Sequence, residues 1–198
     1  MIYKYFGNKY KDNSEKIKSF RLLESFIEDT HSDWNQVPNT PEIVQKFDLV
    51  INNLTNHELA FLICHSGYIP EQYEADSSQE TLYSKLVEAL VKHFVLRIGF
   101  DKSYLPTQKS SMEDVTVTDG IHLIVADSKA FRLGRSQGAP NVKDVLKHND
   151  IRKWMNAHNN INTLGGLVTF PYQHDWKKGS DFYQYTTDPS LPTMTLYY

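Results

Sequence analysis

The stretch that decides the fold is Glu113–Arg135, EDVTVTDGIHLIVADSKAFRLGR. Its apolar residues first alternate with polar ones and then run together, which predicts two β-strands. Asp119-Gly120 lies between them and is typical of a two-residue hairpin turn. The residues that mark the strands are Val115, Val117, Ile121, Leu123 and Val125. The pattern predicts a β-hairpin with Asp114 on its first strand and Asp127-Ser128-Lys129 ending its second.

Two acids and a lysine meet at the open end of this predicted hairpin. Because side chains alternate between the faces of a strand, we expect Asp127 and Lys129 on one face and Ser128 on the other. Mg²⁺ prefers oxygen ligands. Asp114 and Asp127 can supply two carboxylates, and the backbone carbonyl of Ser128 a further oxygen. The residues predict a metal-dependent phosphodiesterase site in which Lys129 contacts the phosphate or orients water; the alternative is a surface ion-pair set.

Two further acids are weaker candidates for the metal. Glu113 is the adjacent alternative ligand, but it is expected to face away from Asp114. Glu80 falls in the first turn of a predicted long helix and could belong to the outer metal shell. Simple helix capping is the other interpretation of Glu80.

The remaining sequence predicts helices before the hairpin and mixed elements after it. The predicted helices are 14–29, Thr40 to about Asn53, Thr55 to Gly67, Ser77 to Gly99, 142–157 and Trp176 to Tyr185. Further strands are predicted at Gly165–Phe170 and Met194–Tyr198, and 70–76 is a loop. The predicted fold class is therefore α/β (α+β), with a helical N-terminal half packed on a mixed β-sheet.

The length of 198 residues suits one domain. We expect a single nuclease domain over 1–198, with a mainly helical part at 1–76 and a catalytic core at 77–198. The core ends inside a predicted strand, which is typical of a chain truncated at its C-terminus.

Charge is distributed unevenly along the chain, whose formal net charge is -3. Residues 1–80 hold 7 Lys/Arg against 13 Asp/Glu, whereas 129–153 hold 7 Lys/Arg against 2 acids. A basic segment directly after a carboxylate site suits a polyanionic substrate, although a solvated helix face would also explain it. Its cations beyond Lys129 are Arg132, Arg135, Lys143, Lys147, Arg152 and Lys153.

Several other kinds of protein are disfavoured. The sequence has no run of eighteen apolar residues, and its first residues lack a signal-peptide core, so we expect no membrane span and a cytoplasmic location. Cys64 is the only cysteine, which excludes an intrachain disulfide and a cysteine-based zinc site. The eight histidines show no zinc-protease spacing.

The hairpin residues also resemble a known family. An acid followed about a dozen residues later by Asp-X-Lys resembles the PD-(D/E)XK nuclease superfamily. More specifically, the chain is similar to HindIII-type restriction endonucleases over roughly 50–198. The stretches that carry this resemblance are 54–58, 67–71, 78–85, 113–115 and, most specifically, Val125–Arg135 (VADSKAFRLGR).

The resemblance implies a function. It implies a PD-(D/E)XK nuclease-like core in which Asp114, Asp127 and Lys129 match the catalytic acid, acid and lysine, with Arg132 and Arg135 near DNA. It also implies a Mg²⁺-dependent homodimer that cuts a short palindromic site in double-stranded DNA, and a methyltransferase that protects host DNA. The alternatives are a repair or structure-specific nuclease and a catalytically silent DNA-binding module.

Overall fold

The computed structural model describes residues 11–106, 112–132, 146–170 and 193–197. The chain forms two compact units: one comprises Met1–Leu90 and Ala130–Leu133, the other Val91–Lys129 and Gly134–Tyr198. The helices described are α1 Asn13–Thr30, α2 Thr40–Asn52, α3 Asn56–His65, α4 Ser78–Arg97 and α5 His148–Ala157. The strands are β1 Tyr68–Ile69, β2 Lys102–Tyr104, β3 Val115–Thr118, β4 His122–Ser128, β5 Phe131–Arg132, β6 Asn162–Phe170 and β7 Thr193–Tyr197.

The first unit contains α1 to α3 and the larger part of α4, close to the predicted bounds. Helix α3 begins with a capping box, in which Thr55 accepts from the backbone N–H of Glu58 and the Glu58 carboxylate accepts from the N–H of Thr55. This reciprocal pair satisfies two backbone donors at a helix start. Between α1 and α2, the rings of Phe26 and Phe47 pack with centroids 4.9 Å apart.

The starts of α2 and α4 are different. The N-cap residue of α2 is Asn39. At α4, Ser77 Oγ accepts from the N–H of Glu80, and the Glu80 carboxylate accepts from Asp76 N–H at 2.7 Å. Asp76 has a φ of 60°, in the left-handed region that non-glycine residues rarely adopt.

A two-stranded sheet in the first unit was absent from the sequence prediction. Strands β1 and β5 pair in parallel, with Tyr68 opposite Phe131. The N–H of Phe131 donates to the carbonyl of Gly67 at 2.7 Å. Gly67 has a φ of 87°, a backbone conformation that glycine adopts without steric cost, and it separates the end of α3 from β1.

The second unit is built on a five-stranded sheet in the order β2-β3-β4-β6-β7. Strand β3 is antiparallel to both β2 and β4, whereas β6 runs parallel to both β4 and β7. The sheet is therefore mixed. Strand β6 begins three residues earlier than the predicted strand at Gly165, and β2 was not predicted.

The β3–β4 hairpin is confirmed, but its turn is longer than predicted. Thr118 is opposite Leu123, so four residues connect the paired positions. The Asp119 carboxylate accepts hydrogen bonds from the N–H groups of Ile121 and His122, which holds the longer loop. Ile121 consequently lies outside the strand and is 70% exposed.

Helix α5 packs on the sheet face formed by β4 and β6. It buries Ile151 and Trp154, and it starts at His148, so the predicted helix is confirmed over its second half while 142–145 lies outside the described residues. A Cβ added to Gly166 on β6 would come within 2.6 Å of the Ile151 side chain. The glycine therefore allows the helix to approach the strand closely.

The predicted fold class is confirmed, since helices dominate the N-terminal half and a mixed sheet follows. The predicted helix at Trp176–Tyr185 lies outside the described residues. In the part of the chain that the structure describes, none of the helices has the length and apolar character required to cross a membrane.

Candidate active site

The predicted acids and lysine lie together at the open end of the β3–β4 hairpin. Strand β4 ends at Ser128, and the N–H of Lys129 donates to the carbonyl of Thr169 on β6 at 2.8 Å. Lys129 is thereby held beside the sheet although it lies just after the strand. Asp127 is only 3% exposed, so its carboxylate is removed from bulk water.

Asp127 and Lys129 form a buried ion pair. The Nζ of Lys129 lies 2.6 Å from both carboxylate oxygens of Asp127. Burial raises the pKa of the Asp127 carboxyl to about 6; the Lys129 ammonium opposes this rise, and the charge of the nearby Asp114 carboxylate adds to it. The two acids are therefore close neighbours, as the sequence predicted.

Asp114 is fixed by the backbone of the opposite strand. Its N–H donates to the carbonyl of Ala126 at 2.9 Å, and its Oδ2 accepts from the N–H of Ser128 at 2.9 Å. Asp114 lies one residue before β3 rather than on it. The carboxylate is thus tied to the end of β4, directly beside Asp127.

Glu113 has a different environment from the one expected of an alternative metal ligand. Its Oε1 accepts hydrogen bonds from Thr116 Oγ1 at 2.6 Å and from His158 Nε2 at 2.7 Å. The Glu113 side chain is fully buried, whereas that of His158 is 18% exposed. Sequence reasoning missed this pair because 45 positions separate the two residues and no spacing rule connects them.

Several polar atoms at this end of the sheet are buried and make no hydrogen bond within the described residues. They are Glu113 Oε2, Ser128 Oγ and Thr169 Oγ1. Ser128 and Thr169 are directly opposite each other on β4 and β6. A buried polar atom without a partner costs about 1–3 kcal/mol of folding free energy.

The donor set fits a hard divalent cation. Mg²⁺ usually takes one or two carboxylates and completes its coordination with waters and substrate phosphate oxygens. Asp114 and Asp127 provide two carboxylates, the ligand type that Mg²⁺ prefers in proteins. Among the residues that the structure describes, no group of three or more His, Cys, Asp or Glu side chains is arranged to hold a metal. A metal site made only of protein side chains is therefore not found among the described residues. The two carboxylates fit a Mg²⁺ site whose remaining ligands are waters and substrate phosphate oxygens.

The predicted DNA-contacting cations fall in different places. Arg152 and Lys153 are exposed on α5, and Lys147 is the exposed N-cap residue of that helix. The backbone of Arg132 lies in β5. Arg135 and Lys143 lie outside the described residues.

The two weaker metal assignments are untested by this geometry. Glu80 belongs to the first unit and lies in the first turn of α4. Its carboxylate accepts from the Asp76 backbone, as described above, so helix capping accounts for that contact. The carbonyl of Ser128 remains a prediction as a metal ligand.

Comparison with models of known protein families assigns the chain to one family. The model for the HindIII restriction endonuclease family matches residues 33–193. A search among curated proteins finds no significant match. The family match spans most of the chain, including every residue of the site just described. The protein belongs to the HindIII restriction endonuclease family, and this membership implies a type II deoxyribonuclease.

Proposed function

We propose that this member of the HindIII family is a Mg²⁺-dependent endonuclease that cleaves double-stranded DNA at a short palindromic site. The observation that carries the proposal is the buried Asp127–Lys129 pair beside Asp114. Burying the Asp127 carboxylate beside a second acid opposes folding unless its charge is compensated by a partner or a bound cation. A phosphodiesterase site provides a reason for that arrangement.

Asp114 and Asp127 are proposed as the metal-binding carboxylates. The hydrogen bond from the backbone N–H of Ser128 to Oδ2 of Asp114 orients that carboxylate. The carbonyl of Ser128 is proposed as a further ligand, and Glu80 as an outer-shell residue. Mg²⁺ bound there would polarise the scissile phosphate and lower the pKa of a bound water.

Lys129 is proposed to stabilise charge on the phosphate and to orient the attacking water. Its backbone is fixed to β6 and its ammonium to Asp127, so the cation is held in place before substrate arrives. A positioned charge of this kind stabilises a transition state without reorganisation.

Double-stranded DNA is the proposed partner of the basic segment. Arg152 and Lys153 of α5, and its N-cap residue Lys147, are exposed to solvent and suit phosphate contacts. Arg132, Arg135 and Lys143 are proposed to join them. We further propose one nuclease domain over 1–198 that acts as a homodimer in the cytoplasm, with a methyltransferase protecting host DNA.

The deciding experiment is digestion of a complex duplex, such as a phage genome, with Mg²⁺, Ca²⁺ or EDTA. Asp127→Asn preserves the shape of the side chain and removes its charge. Asp119→Asn is the matched control, because it makes the same change at the turn end of the same hairpin. Discrete fragments with Mg²⁺ are expected from the wild type and Asp119→Asn, and none from Asp127→Asn.

Other outcomes would point elsewhere. Undiminished cleavage by Asp127→Asn would overturn the site assignment. Preferential cleavage of branched DNA would favour a structure-specific nuclease, and metal-independent DNA binding without any nicking would indicate a silent binding module. Sequencing the fragment ends would then identify the recognition site.

A further inference from the structure

We propose that Glu113 and His158 form a clamp that positions Asp114 for metal binding. The inference rests on the proposed function and assigns a role to two residues outside the predicted catalytic set. Both would be positioning residues, because they act through Asp114 rather than on the metal or the DNA.

Asp114 lies where the strand pairing is irregular. Ala126 is opposite Val115 in the register of β3 and β4, yet its carbonyl accepts a hydrogen bond from the N–H of Asp114. Asp114 therefore bonds to the partner of the next residue and lies outside the regular ladder of Val115–Thr118. The regular ladder alone does not determine the direction of the Asp114 side chain, and neighbouring contacts have to do so.

Glu113 supplies such contacts on the N-terminal side of Asp114. One of its oxygens is shared by Thr116 on β3 and His158 beyond α5, at 2.6 and 2.7 Å. The bond from Thr116 is buried and the bond from His158 is partly buried, so water competes little with the first and only in part with the second. They attach the residue before Asp114 at two points, while the Ser128 N–H holds the Asp114 carboxylate itself.

His158 in turn is held by the end of α5. It is the C-cap residue, and its N–H donates to the carbonyl of Met155 at 3.2 Å. The helix is seated on the sheet by the contact of Ile151 with Gly166. A continuous set of packed and hydrogen-bonded groups therefore connects the basic helix with Asp114. A displacement of α5 when its cations bind phosphates would reach the metal site through this connection.

The contacts favour a positioning role for Glu113 over a ligand role. Its Oε1 is already an acceptor for two donors, and its side chain is fully buried. Partners that orient metal ligands typically contribute a factor of about 10–100 in metal affinity. The clamp should therefore alter Mg²⁺ affinity without being required for Mg²⁺ binding.

The test is a calorimetric titration of the whole protein with MgCl₂, in the absence of DNA. Glu113→Ala and His158→Ala break the clamp, and each should weaken Mg²⁺ binding by about 10–100-fold. Glu113→Gln retains the accepting oxygen and His158→Gln retains a donor near the position of Nε2, so both should stay close to the wild type. The control is His122→Ala, which removes the histidine that is paired with Asp119 at the turn of the hairpin.

Cleavage provides a second measurement that a purely structural role would not affect. In Glu113→Ala, raising the Mg²⁺ concentration should restore most of the cleavage rate, because Asp114 is present but badly positioned. Should the buried position not tolerate Glu113→Ala, His158→Ala at the half-buried histidine still tests the clamp, since a thermal scan identifies which proteins are folded.

The outcomes separate the clamp from the function on which it rests. Wild-type Mg²⁺ affinity in both alanine variants overturns the clamp and leaves the proposed function intact. Loss of all Mg²⁺ binding in Glu113→Gln would make Glu113 a ligand and would also overturn it. A wild-type protein that neither binds Mg²⁺ nor cleaves DNA would overturn the proposed function first, and the clamp with it.

Discussion

The two ends of the β3–β4 hairpin each hold a carboxylate paired with a histidine, in opposite surroundings. At the turn, Asp119 is exposed and accepts from the N–H of Ile121, the N–H of His122 and the Nδ1 of His122. At the open end, Glu113 is buried, and only one of its oxygens has hydrogen bonds within the described residues.

The difference shows how one pair of strands serves both structure and chemistry. The hydrogen bonds from His122 and Ile121 hold the pKa of Asp119 well below its ordinary value, so this acid stays ionised and holds the loop. Burial has the opposite effect on Asp127 and raises its pKa to about 6. A cation bound at the open end would therefore offset the free-energy cost of burying the Asp127 carboxylate.

The largest expected effect comes from removing the cation at the open end. Lys129→Met deletes the ammonium that contacts both oxygens of Asp127. We expect the single-turnover cleavage rate to fall by about 10²–10³-fold, the usual loss for one group that stabilises transition-state charge. Lys102→Met, an exposed lysine on β2 opposite Thr118, is the control and should cleave normally. Equal rates for the two variants would contradict the role given to Lys129.

The next effect concerns pH. Mg²⁺ needs the ionised carboxylate, and the pKa of Asp127 is raised to about 6, so affinity should be constant above that pH and fall below it. One titrating group makes the affinity at pH 5 about tenfold lower than at pH 7. Calorimetric titrations between pH 5 and 8 measure this. Asp119→Asn should leave the profile unchanged, and a flat wild-type profile would show that Asp127 is already ionised.

A smaller effect is expected where α5 meets the sheet. In Gly166→Ala, the new Cβ would lie 2.6 Å from the Ile151 side chain, so the helix or the strand has to shift. Overpacking of this kind lowers the free energy of unfolding by about 1–3 kcal/mol. Urea unfolding measures the loss. Combining it with Ile151→Ala should cost less than the sum of the two single changes, and strict additivity would argue against the contact.

The smallest effect is expected at the turn. Gly120 has a φ of 89°, and a Cβ added there meets nothing within 4 Å. Gly120→Ala should therefore lower the free energy of unfolding by about 1 kcal/mol through backbone strain alone, and the cleavage rate should stay at the wild-type value. A marked loss of cleavage in this variant would show that the two ends of the hairpin are not independent.

The predictable part of the site is the part that is local in sequence. Asp114, Asp127 and Lys129 belong to one hairpin, so alternation along two short strands was enough to bring them together. The turn was less predictable, because the Asp119 side chain competes for the loop N–H groups and lengthens the connection beyond the two residues that Asp-Gly suggests.

Contacts between distant residues were not predictable from the sequence. Strands β1 and β5 have two residues each, which is too short for a periodic signal, and they pair across more than sixty positions. Glu113 and His158 likewise depend on how α5 packs on the sheet.

The central position of β4 also determines the order in which the site is assembled. Its antiparallel partner β3 is only a turn away, whereas Ser128 and its parallel partner Thr169 are about forty positions apart. Closing a tenfold longer loop costs about 2 kcal/mol more in chain entropy. We therefore expect the hairpin with its two acids to form early and the anchoring of Lys129 to β6 to come late. During synthesis, a cell would then hold a nascent nuclease that has its acids in place but stays inactive until β6 has emerged.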